Sequence, residues 1–323
     1  MSDWRPASGP DAAAGRAALL LRVRAYFDAA GVLEVDTPAL SAAAVSDTQI
    51  ESFEIADSSI SSRSLFLHTS PEFCMKRLLA GGYPDIFSVS RVFRDGEAGR
   101  RHQPEFTMIE WYRRGMDLGE IINDTAGLIQ HTLGDSAPAA EAVTLEYRDA
   151  VLAATGLDPV TAKLDSLATA VDADGPLRTA IGDERDDWLD LLLATRVIPD
   201  FPKDRLTVLK HYPASQAALA RLCPDDPSVA DRFEIFLGPV ELANGYVELT
   251  NAAQQSARIQ ADNEARVRRG RPVRNIDTYL LAALESGLPE CAGVAMGLER
   301  LQMIHDKTDD IRNVITFAFE PDE

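Results

Sequence analysis

The spacing of apolar positions changes character several times along this chain. Over residues 11–30, Leu19, Val23 and Phe27 recur at helical spacing with arginines between them, and Gly31 follows as a stop, which predicts an amphipathic helix. Residues 32–38 read as a strand closed by Pro38. The Ser/Ala-rich stretch 41–63 predicts loop with some strand, 64–68 a strand, and 71–79 a helix with proline at its start. Strands are predicted at 85–93 and 106–112, joined by a charged, glycine-containing loop, and an amphipathic helix at 117–134. The Ala/Asp-rich middle, 137–204, predicts mostly helix and says little about function. Strand character returns at 207–212, 231–237 and 240–249, before a long helix at 251–269 stopped by Gly270 and Pro272. A short helix, a strand before Gly293, a helix from Gly297 and a final apolar strand at 314–319 complete the pattern. No internal repeat is present. Strands in hairpins, interspersed with helices, predict an α+β fold: a mostly antiparallel sheet flanked by helices, forming one domain over 11–323 behind a flexible tail, 1–10.

Composition narrows the class. Of 323 residues, 46% are hydrophobic and 26% charged, an ordinary globular balance. The net charge of -19 argues against broad binding to nucleic acid or anionic membrane. The densest basic run, Arg266, Arg268, Arg269, Arg271 and Arg274, reads either as a solvated helix end or as a docking surface. Cys74, Cys223 and Cys291 show no C-x-x-C spacing, and an odd count fits no disulfide framework, so reduced thiols and a cytoplasmic location are expected. The start of the chain has no apolar signal region, and no apolar run is long enough to span a bilayer.

Two segments carry the chemistry. The first is Phe93-Arg94-Asp95-Gly96-Glu97 with, after a short gap, Arg101-His102-Gln103-Pro104-Glu105-Phe106-Thr107. Such a hairpin can lay arginine forks along a triphosphate, each donating paired hydrogen bonds to phosphate oxygens. The second, Gly293 to Leu301, brings Arg300 beside a glycine-rich approach. Arginines at opposite ends of a nucleotide suggest adenylate chemistry. Taken singly, each residue has a plainer reading: Arg94 as a surface ion pair, Glu241 and Glu248 as outward strand residues, Phe106 and Tyr112 as core, Gly297 as a helix cap. His68, His131, His211 and His305 read as structural. No H-x-x-E-H, C-x-x-C or G-x-S-x-G pattern offers a rival hydrolase or zinc site.

In order, the helix and strand ending at Pro38, the hairpin at 93–112 and the segment 293–301 resemble the three signature motifs of class II aminoacyl-tRNA synthetases. Ser70-Pro71-Glu72, the run from Arg101 to Thr107, and Glu241-Leu242-Ala243-Asn244-Gly245 are similar to the lysyl branch. The resemblance runs from about residue 15 onward and leaves no room for an anticodon-binding barrel before the first motif. Pro213-Ala214-Ser215-Gln216 and the run Glu241 to Tyr246 resemble the paralogues that attach (R)-β-lysine to a lysine of elongation factor P. Ala295 stands where lysyl-tRNA synthetases typically carry glycine, a methyl group that would reshape the pocket floor in favour of a β-amino acid.

The resemblance implies ATP and Mg²⁺ as cofactors, lysine or (R)-β-lysine as substrate, elongation factor P as protein partner, and a homodimer through the first motif, with no recognition of a tRNA anticodon. Arg94 and Arg300 become the catalytic pair. Asp95, Gly96, Glu97, His102, Gln103, Phe106, Glu241, Leu242 and Gly297 join them around ATP, with Phe106 stacked on adenine and Glu234 and Glu241 holding the metal. Ser70, Pro71, Glu72, Glu110, Tyr112, Asn244, Glu248 and Ala295 line the amino-acid pocket, its acidic members facing two ammonium groups that would be costly to bury alone. The family's second motif commonly runs Arg-Asn-Glu, whereas here Arg94-Asp95-Gly96 displaces Glu97 by one position; either Glu97 swings in or backbone groups read adenine. Two rival readings stay open: a stand-alone paralogue that charges tRNA or a carrier, and a non-catalytic amino-acid sensor.

Overall fold

Pro10 opens α1 (Pro10–Ala29), and the predicted stripe of Leu19, Val23 and Phe27 is its fully buried face. A computed structural model describes residues 4–320. After β1 (Leu33–Glu34), a small sheet forms from β2 (Leu40–Ser41), β3 (Glu54–Ile55) and β4 (Leu65–Leu67), with β4 central. Next come α2 (Glu72–Ala80), β5 (Ile86–Phe93), β6 (Glu105–Arg114) and α3 (Leu118–Leu133). The middle of the chain holds β7 (Val143–Glu146) and helices α4 (Tyr147–Thr155), α5 (Leu164–Ala170), α6 (Gly175–Ile181) and α7 (Arg185–Leu192). Then follow β8 (Leu206–Lys210), β9 (Arg232–Leu237), β10 (Val240–Val247), α8 (Ala252–Arg268), α9 (Thr278–Gly287), β11 (Cys291–Gly297) and α10 (Leu298–His305).

The main sheet has the order β1-β5-β6-β11-β10-β9-β8-β7. Its inner pairings are antiparallel, and only the outermost pairs, β1–β5 and β7–β8, are parallel. Both parallel pairs are joined by long crossovers that include helices, as parallel strands require. One face buries the main core. Ile109 and Trp111 of β6 and Ala292, Val294 and Met296 of β11 pack there against α1, α3 and α10, with Phe27 stacked on Phe87 at 4.3 Å. Side chains alternate along a strand, so Met108, Glu110, Tyr112, Gly293 and Ala295 face the other way, into a cleft. A second core around Tyr147, Trp188 and Leu189 holds α4, α5 and α7 against the far end of the sheet, and a third packs α2 on α9.

Several expectations need correction. The strand over 32–38 shrinks to Leu33–Glu34 at the sheet edge. No strand forms over 314–319: a 3₁₀ turn at Ile311–Asn313 leads into irregular chain whose Phe317 and Phe319 are exposed, so only Val314 buries and no edge is there to pair with. The strand expected before Gly293 runs through it to Gly297. Of the tail predicted over 1–10, residues 1–3 lie outside the described residues, Ala7 N–H donates to Thr316 O at 2.7 Å, and Pro10 already belongs to α1. The basic run is neither a solvated helix end nor an open docking patch. Arg266 is fully buried and donates to both carboxylate oxygens of Glu51 at 2.8 Å; Arg274 joins the same carboxylate, Arg271 bonds the Thr48 carbonyl, and Arg269 bonds Asp187 at 2.9 Å. Burial pushes the Glu51 carboxyl up, but hydrogen bonds from Arg274 and Arg266 outweigh it and hold it low. These arginines fasten the end of α8 and the chain after it to the segment 47–54 and to α7, while the Arg268 and Arg271 side chains stay exposed.

Candidate active site

The cleft encloses about 750 Å³ over the centre of the sheet. A β-bulge in β10 helps to shape it. Glu241 and Asn244 are three residues apart and would point to opposite faces of a regular strand. The register shift between Glu241 and Ala243 puts both on the cleft side. Asn244 and Glu110 flank Ala295 on the neighbouring strands, so the three side chains form one row of the floor.

At one end the two arginines approach the cleft from separate elements. Arg94 follows β5, its guanidinium lies 5.2 Å over the Phe106 ring, and its buried Nε has no hydrogen-bond partner. Gly96 takes a left-handed φ of +80°, which suits glycine, and the turn it makes brings the displaced Glu97 to the cleft wall, 3.5 Å from Arg94 Nη1. Arg300, in the first turn of α10, donates to the Glu241 carboxylate and carbonyl, both at 3.1 Å, and to His102 Nε2 at 2.7 Å. A guanidinium can only donate, so His102 Nε2 must accept and the ring must be neutral. Burial and the adjacent Arg300 charge lower the His102 pKa, in agreement. Gln103 lines the cleft and accepts from the Phe319 N–H at 2.7 Å. Leu242 and Gly297 also line it; a Cβ at Gly297 would meet only Arg300 Cγ, at 4.0 Å.

Glu241 reaches the cleft, whereas Glu234 sits behind it, bound by Arg232 at 2.7 Å. Burial pushes Glu234 up to about 7, with Arg232 opposing and the Glu241 charge adding. Two carboxylates that feel each other in this way, all oxygen donors, suit a hard divalent cation. Likewise the unsatisfied Arg94 Nε suits a phosphate oxygen.

The other end is a buried acidic pocket. Glu72 opens α2, where Ser70 Oγ accepts from its N–H at 2.9 Å and donates to Glu110 at 2.6 Å. Tyr112 OH donates to the other Glu110 oxygen at 2.8 Å. Glu248 is 1% exposed. Between Glu72 and Glu248 lies a residue that the sequence did not single out: Lys76 Nζ is 2.5 Å from each carboxylate and fully enclosed. Burial opposes its charge, but Glu248 and Glu72 outweigh that and keep Lys76 protonated. Two carboxylates therefore clamp one ammonium, and Glu110 lies close enough to feel its charge. Burial and the Glu72 charge, against hydrogen bonds from Ser70 and Tyr112, push Glu110 up to about 8.

Of the residues expected at the site, Pro71, Asp95, Gly96 and Glu234 do not line the cleft; Asp95 instead pins the hairpin by donating its N–H to Glu51 O at 2.9 Å. Tyr246 and Arg232 were not assigned roles. Tyr246 OH lies 3.4 Å from Glu72, and Arg232 bridges Glu234 and Asn244. The 137–204 region also reaches the site: Ser215 and Gln216 hydrogen-bond Asp186 and Asp190 of α7, both at 2.7 Å, closing one wall.

The model of the tRNA synthetases of class II (D, K and N) matches residues 4–321. The chain belongs to this class II synthetase family. The elongation factor P--(R)-beta-lysine ligase of Sodalis glossinidius (strain morsitans) is 42% identical over 328 residues, 99% of each chain. Proteins of the same name from Klebsiella pneumoniae (strain 342) and Haemophilus influenzae (strain ATCC 51907 / DSM 11121 / KW20 / Rd) are 41% and 40% identical, over 98% and 99% of this chain and 98% of each relative. The Arg94 hairpin and the β11–α10 segment meet across the β6–β11 pair.

Proposed function

We propose that this chain is an ATP-dependent, AMP-forming ligase. It activates (R)-β-lysine, or lysine, and transfers it to the ε-amine of a lysine on elongation factor P. The family membership and the names of the relatives support the reaction class and the acceptor. The observation that carries the choice of amino acid is the acidic excess of the pocket: among the described residues, Glu72, Glu110 and Glu248 share one enclosed ammonium, Lys76, so ionising all three calls for positive charge brought by the substrate. A diamino acid supplies two such charges.

The roles follow from position. Glu72 takes the amine nearer the carboxylate; Glu110, Tyr112, Asn244 and Glu248 surround the distal one. The substrate carboxylate then lies toward Arg94. One of its oxygens attacks the α-phosphorus of ATP in line, forming the mixed anhydride as the bond to the β-phosphate oxygen breaks and pyrophosphate leaves. No nucleophilic side chain is required; Arg94, Arg300 and neutral His102 position the phosphates and offset their charge. Mg²⁺, held by Glu241 and Glu234, would neutralise phosphate oxygens when bound. The acceptor amine then attacks the acyl carbon, AMP leaves, and the amine sheds one proton. Residues 11–323 act as one catalytic unit. Exposed Leu21, Leu33 and Leu40 around the first motif support a homodimer there. The free thiols suit a reducing cytoplasm; among the described residues, no helix is long and apolar enough to cross a membrane.

Amino-acid-dependent ATP–pyrophosphate exchange tests this reading. Lysine and (R)-β-lysine should support exchange, and norleucine, which lacks the distal ammonium, should not. Equal exchange with norleucine would refute the acidic-pocket assignment.

A further inference from the structure

Between β8 and β9 the chain leaves the sheet, and its ends are drawn back together. His211 N–H donates to Arg232 O at 2.9 Å, Asp231 N–H to Arg221 O at 3.0 Å, and Cys223 N–H to Val229 O at 2.9 Å. This lacing brings His211, Cys223 and Asp231, distant in sequence, to one spot, where one ligand atom from each lies within 4.8 Å of the others. His211 Nε2 and Asp231 Oδ1 are 3.7 Å apart. Bonds of about 2.0–2.2 Å to a tetrahedral ion would place such atoms about 3.4 Å apart, so little movement is needed.

The surroundings match those of a ligand set. His211 Nδ1 is 2.7 Å from Glu146 Oε2, which fixes the proton on Nδ1 and leaves the Nε2 lone pair facing Cys223 and Asp231. Arg221 Nε donates to Asp231 Oδ2 at 2.8 Å and so leaves Oδ1 free. His211 also holds a left-handed φ of +58°, costly for a side chain with a Cβ, and this strained backbone aims the ring. An imidazole nitrogen, a thiol and a carboxylate together suit a borderline cation and not Mg²⁺ or Ca²⁺.

We propose that His211 Nε2, Cys223 Sγ and Asp231 Oδ1 bind Zn²⁺, with solvent as a fourth ligand. On binding, the Cys223 thiol gives up its proton to solvent and the thiolate bonds the ion. The site is structural. It staples a connection that carries Gln216, a member of the cleft wall, and ends beside Arg232, which holds Glu234 and Asn244 in place. It is separate from the Glu234–Glu241 pair and does not depend on which amino acid the enzyme activates.

Metal-stripped, full-length protein titrated with Co²⁺ tests it. The expected result is a stoichiometric thiolate-to-cobalt charge-transfer band with tetrahedral visible bands, displaced by Zn²⁺. Cys223→Ser should abolish the charge-transfer band, Cys74→Ser should keep it, and Glu146→Gln should weaken affinity about 10–100-fold. Circular dichroism checks that each variant is folded. If the folded wild type gives no band and retains no Zn²⁺ after dialysis, or if the band survives Cys223→Ser, the proposal is overturned and His211 is only a partner in a Glu146–Asp231 ion-pair cluster.

Discussion

Lys76 is the residue whose surroundings most change the picture of the pocket. In the sequence it stands four residues after Glu72 on a predicted helix, the spacing of a commonplace surface ion pair. Only the fold reveals that Glu248, just past β10, closes on the same ammonium. The carboxylates themselves were legible because motif wording fixed them residue by residue. Their protonation was not, since it depends on burial and on how many cations share the pocket. A pH prediction follows from Glu110. Burial pushes its carboxyl, and that of Glu248 in the same pocket, up to about 8 without ligand, so near neutral pH the pair holds protons that an incoming ammonium displaces. Binding of lysine or (R)-β-lysine should therefore release protons, and affinity should rise as pH increases toward 8. Titration calorimetry in buffers of different ionisation enthalpy measures this directly. A buffer-independent heat at neutral pH would show that Glu110 and Glu248 are already ionised.

The strands of the site were legible as a class because each alternates between core and cleft with period two. The pattern could not reveal the bulge after Glu241, which leaves no mark in polarity yet brings Glu241 and Asn244 onto one face. The 143–146 strand was missed because four residues in an Ala/Asp-rich stretch give too short a pattern; parallel pairing with β8 decides it. The error at 314–319 has the opposite cause: apolar residues with no edge to join. Close strand packing also makes a sharp demand on Gly293. A Cβ there would lie 2.5 Å from Tyr112 Cε1 and press on the Glu248 carboxylate as well. Gly293→Ala should therefore distort the amino-acid pocket while leaving the sheet intact. Overpacking there should cost about 1–3 kcal/mol of stability and lower kcat/KM for amino-acid activation, because the displaced groups, Tyr112 and Glu248, line the pocket. Wild-type kcat/KM in pyrophosphate exchange, with an unchanged melting profile, would contradict the packing account.

Across the whole molecule, the arrangement separates two tasks. One face of the sheet and α1, α3 and α10 make a dry core; the opposite face, walled by α7, α8 and the 45–50 loop, holds the chemistry. The net charge of -19 coexists with cationic side chains that are largely committed: Arg266 and Arg274 to structure, Arg300 to Glu241 and His102. Such a surface favours recognition of a particular acceptor over adhesion to any polyanion. The central claim is that the adenylated amino acid is passed to a protein lysine. Its most direct test is intact mass spectrometry of elongation factor P from the same organism after incubation with this protein, ATP, Mg²⁺ and (R)-β-lysine. The account predicts a gain of one lysyl unit, stronger with (R)-β-lysine than with lysine and lost with Arg300→Ala. An unchanged mass alongside active pyrophosphate exchange would contradict it and assign the adenylate to another acceptor.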